Sequence, residues 1–426
     1  MAGTKLYETD VIVVGGGIAG CMAALTAGKN NKKVILIDRY AYPGGTGSAS
    51  IMGQMTGSGM DGKLMFGGYT GDFINELIQN GDAKDFPFRK TTMEGTIGIL
   101  RYNVESFKSL LEDWLLAAGV KIFYNSVVTA AVENETSCTV NVKGFYDEYE
   151  VRGRLIIDAT GNASVASMLG HETLATTLTE KKQAVAVIFK VGNVDKDKYL
   201  AFEDGRTAGE MKELDELYEK KLLPARFLSV GISPNTNEAY INATFMSNVD
   251  YESTEETSKA LIELRRQAKK LIPVFRKYIP GLENCFLSET APSLGVRSAR
   301  RIAGKYVLKG MDIAEMKFFE DEIAPSTWPV DIHDYSGEMQ WVETPKPYMV
   351  PYRALVPAKG GRLIAAGKCI SADDDAFAAI RIMPTAAGVG EAAGQAAAIA
   401  LEQNIAFDEV NGKELHDILK NRGVQI

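Results

Sequence analysis

Cysteine is scarce in this chain: Cys21, Cys138, Cys285 and Cys369 are the only four, and no two form a CxxC pair. That usage excludes a disulfide framework and a zinc or iron–sulfur centre built on cysteine, and no metal site is expected. It also removes the paired thiols of a dithiol redox centre. Histidine is scarcer still, with His171, His333 and His416 alone. Positive charge is in deficit, 47 Lys and Arg against 55 Asp and Glu, for a net charge of −8. A nucleic-acid partner needs a basic face, so none is expected. The short run Arg297, Arg300, Arg301 does not overturn this. No run of about eighteen apolar residues is present to span a bilayer. The opening MAGTKLYETD has neither the basic start nor the apolar core of an export signal. A soluble, cytoplasmic chain without membrane contact is the expectation. Repeats and low-complexity tracts are also lacking.

What is present has an ordinary globular balance, 46% apolar and 24% charged over 426 residues. That length suits two or three domains, or one large domain with an insertion. The run TDVIVV at 9–14 reads as a strand buried on both faces. A helical stretch Ile18–Ala27 and a second buried strand Lys33–Ile37 follow, completing a βαβ unit. The segment from Pro43 to Gly71 is dense in Gly, Ser, Met and Thr, which suits either backbone lying against a ligand or a loose surface loop. Further along, Asn103–Ala118 has helical periodicity, Val120–Tyr124 and Ser126–Val132 read as strands, and Leu155–Ala159 is another apolar strand. From about 172 to 345 the texture changes to alternating strands and polar helices such as Met211–Lys221 and Thr254–Leu271. Arg362–Ala366 then reads as a last buried strand and Pro384–Leu401 as an Ala/Gly-rich helix. The expected fold class is α/β: a Rossmann-like domain split in sequence (1–171 and 346–426) around an α+β substrate or cap domain (172–345).

After the strand ending at Val14 comes Gly15-Gly16-Gly17-Ile18-Ala19-Gly20, a GxGxxG pattern at Gly15, Gly17 and Gly20. Gly15 permits the tight turn, Gly17 lets a pyrophosphate approach the backbone, and Gly20 lets helix and strand pack closely. The helix N-terminus then presents free N–H groups and its positive dipole end to the phosphates. The pattern alone is weak, but here it follows a strand, opens a helix, and leads to a second strand ending at Asp38. An acidic side chain at that point accepts hydrogen bonds from ribose hydroxyls. The unit alone does not choose between NAD and FAD.

Three further stretches bear on that choice. Pro43-Gly44-Gly45-Thr46 resembles the second glycine element of FAD enzymes with the glutathione-reductase type of fold. Ile156-Ile157-Asp158-Ala159-Thr160-Gly161-Asn162 is similar to their later ATG motif, and Leu363-Ile364-Ala365-Ala366-Gly367 to the strand that returns to the flavin. That family usually carries an acidic residue soon after the last glycine, whereas this chain has Lys368 and Cys369. The departure matches a broad bacterial family of FAD-dependent oxidoreductases. Its other signatures are similar to Gly295-Val296-Arg297-Ser298-Ala299-Arg300-Arg301-Ile302-Ala303-Gly304, to Trp328-Pro329-Val330-Asp331-Ile332-His333, and to Val350-Pro351-Tyr352-Arg353-Ala354-Leu355-Val356-Pro357. The resemblance spans nearly the whole chain. It implies non-covalent FAD, since no histidine precedes His171, and redox chemistry. It also implies cofactor contacts from Gly15, Gly17, Ile18, Ala19, Gly20, Asp38, Arg39, Gly44, Gly45, Thr46, Val127, Val128, Ala159, Thr160, Gly161, Gly367 and Arg381, and from Pro384 and Thr385 at a helix end aimed at the flavin.

For the chemistry itself, Arg297 and Arg301 stand out within the set Arg297, Arg300, Arg301, Arg353 and Arg381. Guanidinium groups bind carboxylates and stabilise enolate-like charge; ion pairs between domains are the competing role for them. His333 and, more weakly, Tyr352 are candidates to move the proton that accompanies hydride transfer. The expectation is a dehydrogenase or reductase passing hydride between flavin N5 and a small polar, carboxylate- or carbonyl-bearing substrate. The alternatives are a flavin monooxygenase or halogenase, or an FAD-binding electron-transfer subunit with a protein partner. Substrate, electron acceptor and oligomeric state stay open, a homo-oligomer being possible.

Overall fold

The computed structural model describes residues 5–89, 96–174, 183–203, 212–333, 336–342, 344 and 346–426. Its centre is a five-stranded parallel sheet drawn from both ends of the chain. The first βαβ unit supplies β1 (Val11–Val14), α1 (Ile18–Lys29) and β2 (Val34–Ile37); β3 is Lys121–Phe123, β4 Leu155–Asp158 and β5 Leu363–Ala365. The strand order is β5-β4-β1-β2-β3, with every pairing parallel. β1, β2, β4 and β5 are buried along their whole length, as continuous Val/Ile/Leu runs in a covered parallel sheet must be.

Against this sheet lie α1 and α2 (Met383–Gln403), which pack on each other through small residues. A Cβ built at Gly390 would sit 2.1 Å from the Ala19 carbonyl oxygen, and one at Gly394 would sit 2.3 Å from that of Ala23. These glycines therefore serve helix–helix contact. Every residue of α2 from Met383 to Leu401 is buried, which marks a helix enclosed on all sides.

The chain's first half also forms two four-stranded sheets, the first mixed, with Lys5–Glu8 parallel to Glu148–Gly153, and the second antiparallel. One contains Lys5–Glu8, Val127–Glu133, Cys138–Lys143 and Glu148–Gly153; the other joins Gln54–Met60 to Lys63–Leu64, Ala83–Arg89 and Thr96–Tyr102. The glycine-rich segment 43–71 thus contains a strand, and is not a loose loop. A second core runs from Phe189 to Cys285, where a sheet of Ser229–Ile232, Glu238–Asn242, Phe189–Gly192 and Phe286–Thr290 is covered by the long helix Thr254–Tyr278. Ile302, Ile313, Ile323 and Ala324, which fall within the expected second domain, pack in the larger core. Among the described residues, no helix is long and apolar enough to cross a membrane.

Candidate active site

A cavity of about 1530 Å³ lies where the parallel sheet, the Gln54–Met60 sheet and the second core converge. One end is a cradle of two glycine segments. Gly15 takes φ +101°, a conformation open to glycine, and a Cβ there would sit 2.4 Å from the Ala159 carbonyl oxygen. Gly17 pairs with Gly44 in an isolated bridge, and a Cβ on Gly45 would come within 2.8 Å of the Gly17 Cα. Gly17 itself has ordinary dihedrals, φ −64° and ψ 171°, and a Cβ there would meet nothing within 4 Å. Its open side faces the cavity at the N-terminus of α1, which has no side-chain cap. The first N–H groups of that helix are left for a ligand.

Asp38 closes the same end. It is buried, its Oδ1 accepting from the Tyr40 N–H at 2.8 Å and its Oδ2 from the Gly16 N–H. Burial raises its pKa, and the Tyr40 and Gly16 amides oppose the rise. Ile18, Ala19, Arg39, Gly44, Gly45, Thr46, Val127, Val128, Ala159, Thr160, Gly161 and Gly367 all line the cavity.

The other end carries charge. Asp331 and His333 belong to the strand Val330–His333, and two-residue spacing puts both on one face. His333 Nε2 lies 3.2 Å from Asp331 Oδ1, and Arg381 Nη2 lies 3.6 Å from Asp331 Oδ2. Arg381 also donates to Gln183 Oε1 at 3.1 Å and to the Asp331 carbonyl at 2.9 Å, while Arg297 Nη1 donates to the Ala184 carbonyl at 2.7 Å. Burial and then the Arg297 charge push the His333 pKa down, so the imidazole is neutral near pH 7. Burial alone would raise Asp331; His333 and then Arg381 outweigh it and hold that carboxyl well below the usual range. Burial and Arg381 draw Arg297 down to about 10, which leaves it charged.

Several expected site residues lie elsewhere. Tyr352 is buried with its hydroxyl donating to the Phe407 carbonyl at 2.7 Å, outside the cavity lining, so it is not a proton donor there. Arg301 is also outside: it pairs with Asp374 at 2.8 Å and stacks over Phe377, a structural ion pair. Arg300 pairs with Glu252 and Arg353 with Asp321. Gly20 is absent from the lining because its hydrogen faces the Gly15 carbonyl, the packing role that the third glycine of the motif implies. Pro384 and Thr385 are displaced by one position: Ile382, Met383 and Ala386 line the cavity, whereas Thr385 Oγ1 donates to the Pro325 carbonyl behind it. The Cys369 thiol donates to the Asp158 and Ala366 carbonyls, away from the cavity. Asp331, Gln183 and Lys368 were missed. Only the Asp-x-His spacing within a strand pointed towards Asp331.

Residues 10–419 match the model of the family described as FAD dependent oxidoreductase. The chain belongs to that family. The enzyme therefore binds FAD, and the residues present fit it: the uncapped N-terminus of α1 opens to the cavity at Gly17, where a Cβ would meet nothing within 4 Å, the Asp38 carboxyl lies at the same end, and the cavity volume exceeds the roughly 300–1,000 Å³ of a drug-sized pocket. Two solved structures share the oxidoreductase's fold. One is a geranylgeranyl bacteriochlorophyll reductase-like protein from Thermoplasma acidophilum, at 15% identity and TM-score 0.51, covering 98% of this chain and 84% of that one. The other is the p-nitrophenol 4-monooxygenase of Pseudomonas putida DLL-E4, at 14% identity and TM-score 0.53, covering 98% and 85%. No curated protein sequence matches the chain.

Proposed function

We propose that the enzyme is a dehydrogenase or reductase for a small polar substrate bearing a carboxylate or carbonyl, with bound FAD supplying the hydride acceptor or donor. The observation that carries this reading is the convergence of Arg297, Arg381, Asp331 and His333 on the same cavity as the glycine cradle. Two guanidinium charges against one carboxylate leave one net positive charge, which a single substrate carboxylate balances. Arg297 and Arg381 hold that carboxylate, and the Asp331–Arg381 pair fixes the Arg381 guanidinium. His333, neutral and with Nε2 turned to Asp331, exchanges the substrate proton at Nδ1. Phe227, Trp328 and Trp341 line the cavity beside the charged end and limit the access of water to the exchange. Return of β5 to β4 and of α2 to α1 supports the glutathione-reductase type of fold.

The test is anaerobic mixing of the yellow holoenzyme with hydroxy acids, amines, sugars and enoates, reading the flavin absorbance and, for the reduced form, its reoxidation. Bleaching or reoxidation by an acid, and not by its methyl ester, is the expected result. Reaction with uncharged substrates alone would remove the argument from the two arginines. The likeness to the p-nitrophenol 4-monooxygenase supplies a second reading, hydroxylation with O₂. Substrate-stimulated oxygen consumption by the reduced enzyme, with oxygen incorporated in the product, is its signature.

A further inference from the structure

A partly buried cation in the cavity, Lys368, has no role in the chemistry above. Lys368 follows Gly367, the residue that ends the return of β5 to the sheet. Its Nζ donates to the Val296 carbonyl at 2.6 Å, and its stem runs beside Gly161, where a Cβ would sit 3.1 Å from the Lys368 Cε. The side chain is enclosed by protein except where it opens into the cavity. No acidic side chain forms an ion pair with it among the described residues, and the Val296 carbonyl takes one of its three ammonium protons. An enclosed ammonium without a counter-charge is costly. Burial and the Arg381 charge together draw its pKa down to about 8.

The position of Lys368 bears on which anion it serves. Gly367 packs on the first turn of α1, since a Cβ there would come within 2.9 Å of the Ala19 Cβ. Lys368 is therefore the next residue to a backbone resting against the helix end that faces the diphosphate. It also feels the charges of both Arg39, beside the ribose carboxylate Asp38, and Arg381, at the substrate end. A dinucleotide laid from Asp38 towards His333 brings its diphosphate between those two arginines.

We propose that Lys368 is the counter-charge to the pyrophosphate of FAD, a cation supplied to the glycine cradle by the turn that follows β5. The ammonium keeps two protons beyond the one that the Val296 carbonyl takes, and these are available to phosphate oxygens.

The experiment is ligand binding to the flavin-stripped protein, for wild type, Lys368→Met and Lys368→Gln, with FAD, ADP and riboflavin as separate probes. A charge-assisted bond to phosphate predicts that FAD and ADP bind about 10- to 100-fold more weakly to both variants. Riboflavin, which has no phosphate, keeps its wild-type affinity. Lys368→Gln retains a donor for the Val296 carbonyl, so it separates loss of charge from loss of that anchor, and Lys368→Arg recovers most of the affinity. Equal weakening of riboflavin and FAD would assign Lys368 to the isoalloxazine or to the fold, and overturn the proposal. Unchanged FAD affinity would overturn it too. A wild-type protein unable to take up FAD would instead count against the cofactor assignment itself.

Discussion

Gly17→Val separates cofactor binding from folding, because the structure assigns the three motif glycines different burdens. Gly17 has φ −64° and ψ 171°, values that any L residue adopts, and its missing Cβ faces open space. Replacing it therefore adds no backbone strain. Loss of glycine freedom in the unfolded chain favours the variant by about 0.4–1 kcal/mol. Loss of a tolerated N-cap costs roughly the same. The flavin-free variant should match wild type to within about 1 kcal/mol. Against this, the new side chain fills the space the diphosphate needs. Wild type with FAD at a hundred times its Kd gains about 2.7 kcal/mol of stability. Unfolding entropy of about 2.1 cal/mol/K per residue, taken over 426 residues, gives a slope near 0.9 kcal/mol/K, so that gain is a rise of about 3 °C in Tm. Thermal melts with and without FAD should show this rise in wild type and almost none in Gly17→Val, from the same starting Tm. Gly20→Ala should behave oppositely, with a depressed flavin-free Tm, because its Cβ would sit 1.8 Å from the Gly15 carbonyl oxygen. A Gly17→Val protein that takes up FAD at wild-type affinity would refute the cradle, and one that melts early without FAD would refute its dispensability for folding.

The buried carboxylate of Glu391 accepts from the Tyr69 and Thr70 amides and the Thr70 hydroxyl, each at 2.9 Å, at the start of the helix Gly68–Gln79. Glu391→Ala leaves those donors unmet, and should lower stability by about 2–4 kcal/mol in denaturant unfolding, while FAD affinity in the folded fraction is kept. His333, buried and with a pKa below its ordinary 6.5, resists protonation in the folded state while the unfolded chain accepts it. Its contribution is therefore full above about pH 6.5 and is lost progressively as pH falls from there through the lower folded-state value, so the wild-type Tm should decline below pH 6.5 and that of His333→Asn should be flatter. The same variant should lower the rate of substrate-driven flavin bleaching by about 10²- to 10⁴-fold with little change in half-saturating substrate. A fall in substrate affinity alone would point to binding and away from proton transfer.

The nucleotide unit was legible because its signals are local. VIVV, the glycines and Asp38 each state their part within a few residues, and the continuous apolar runs at 155–158 and 363–365 announce strands covered on both faces. The charged end was only partly legible, since which face of an irregular segment meets the cavity is decided by tertiary packing. Arg297, Arg300 and Arg301 look like one cluster in sequence, yet Arg297 lines the cavity, Arg300 reaches Glu252, and Arg301 turns into the core against Asp374. Adjacent residues in extended backbone point to opposite sides, so a run of like charge does not amount to a site. Tyr352 failed for a related reason: a tyrosine in a motif marks a tightly specified position, and here the specification is a buried bond to the Phe407 carbonyl. Gln183 and Lys368 meet Arg381 and Val296 across long separations in the chain, which no periodicity reports.

Arg297 shows how a site of this kind is maintained against stability. Its only hydrogen bond among the described residues goes to a carbonyl, Ala184, and its neighbour Arg381 repels it; burial draws its pKa down to about 10. Removing a poorly compensated enclosed charge in favour of an apolar chain of similar length is neutral or stabilising in many proteins, by roughly 1–4 kcal/mol when burial is complete. Arg297 still opens into the cavity, so the low end applies, and Arg297→Met should raise the flavin-free Tm by about 1 °C, taking roughly 0.9 kcal/mol/K as above. Because the proposed substrate carboxylate would then face one arginine instead of two, the half-saturating concentration of a bleaching acid should rise about 10-fold or more, with the FAD affinity unchanged. The paired outcome is the test: a residue kept for the fold loses stability when truncated, whereas one kept for an anion loses ligand affinity and not stability. A variant that melts well below wild type, with substrate affinity intact, would reassign Arg297 to the junction between the two cores.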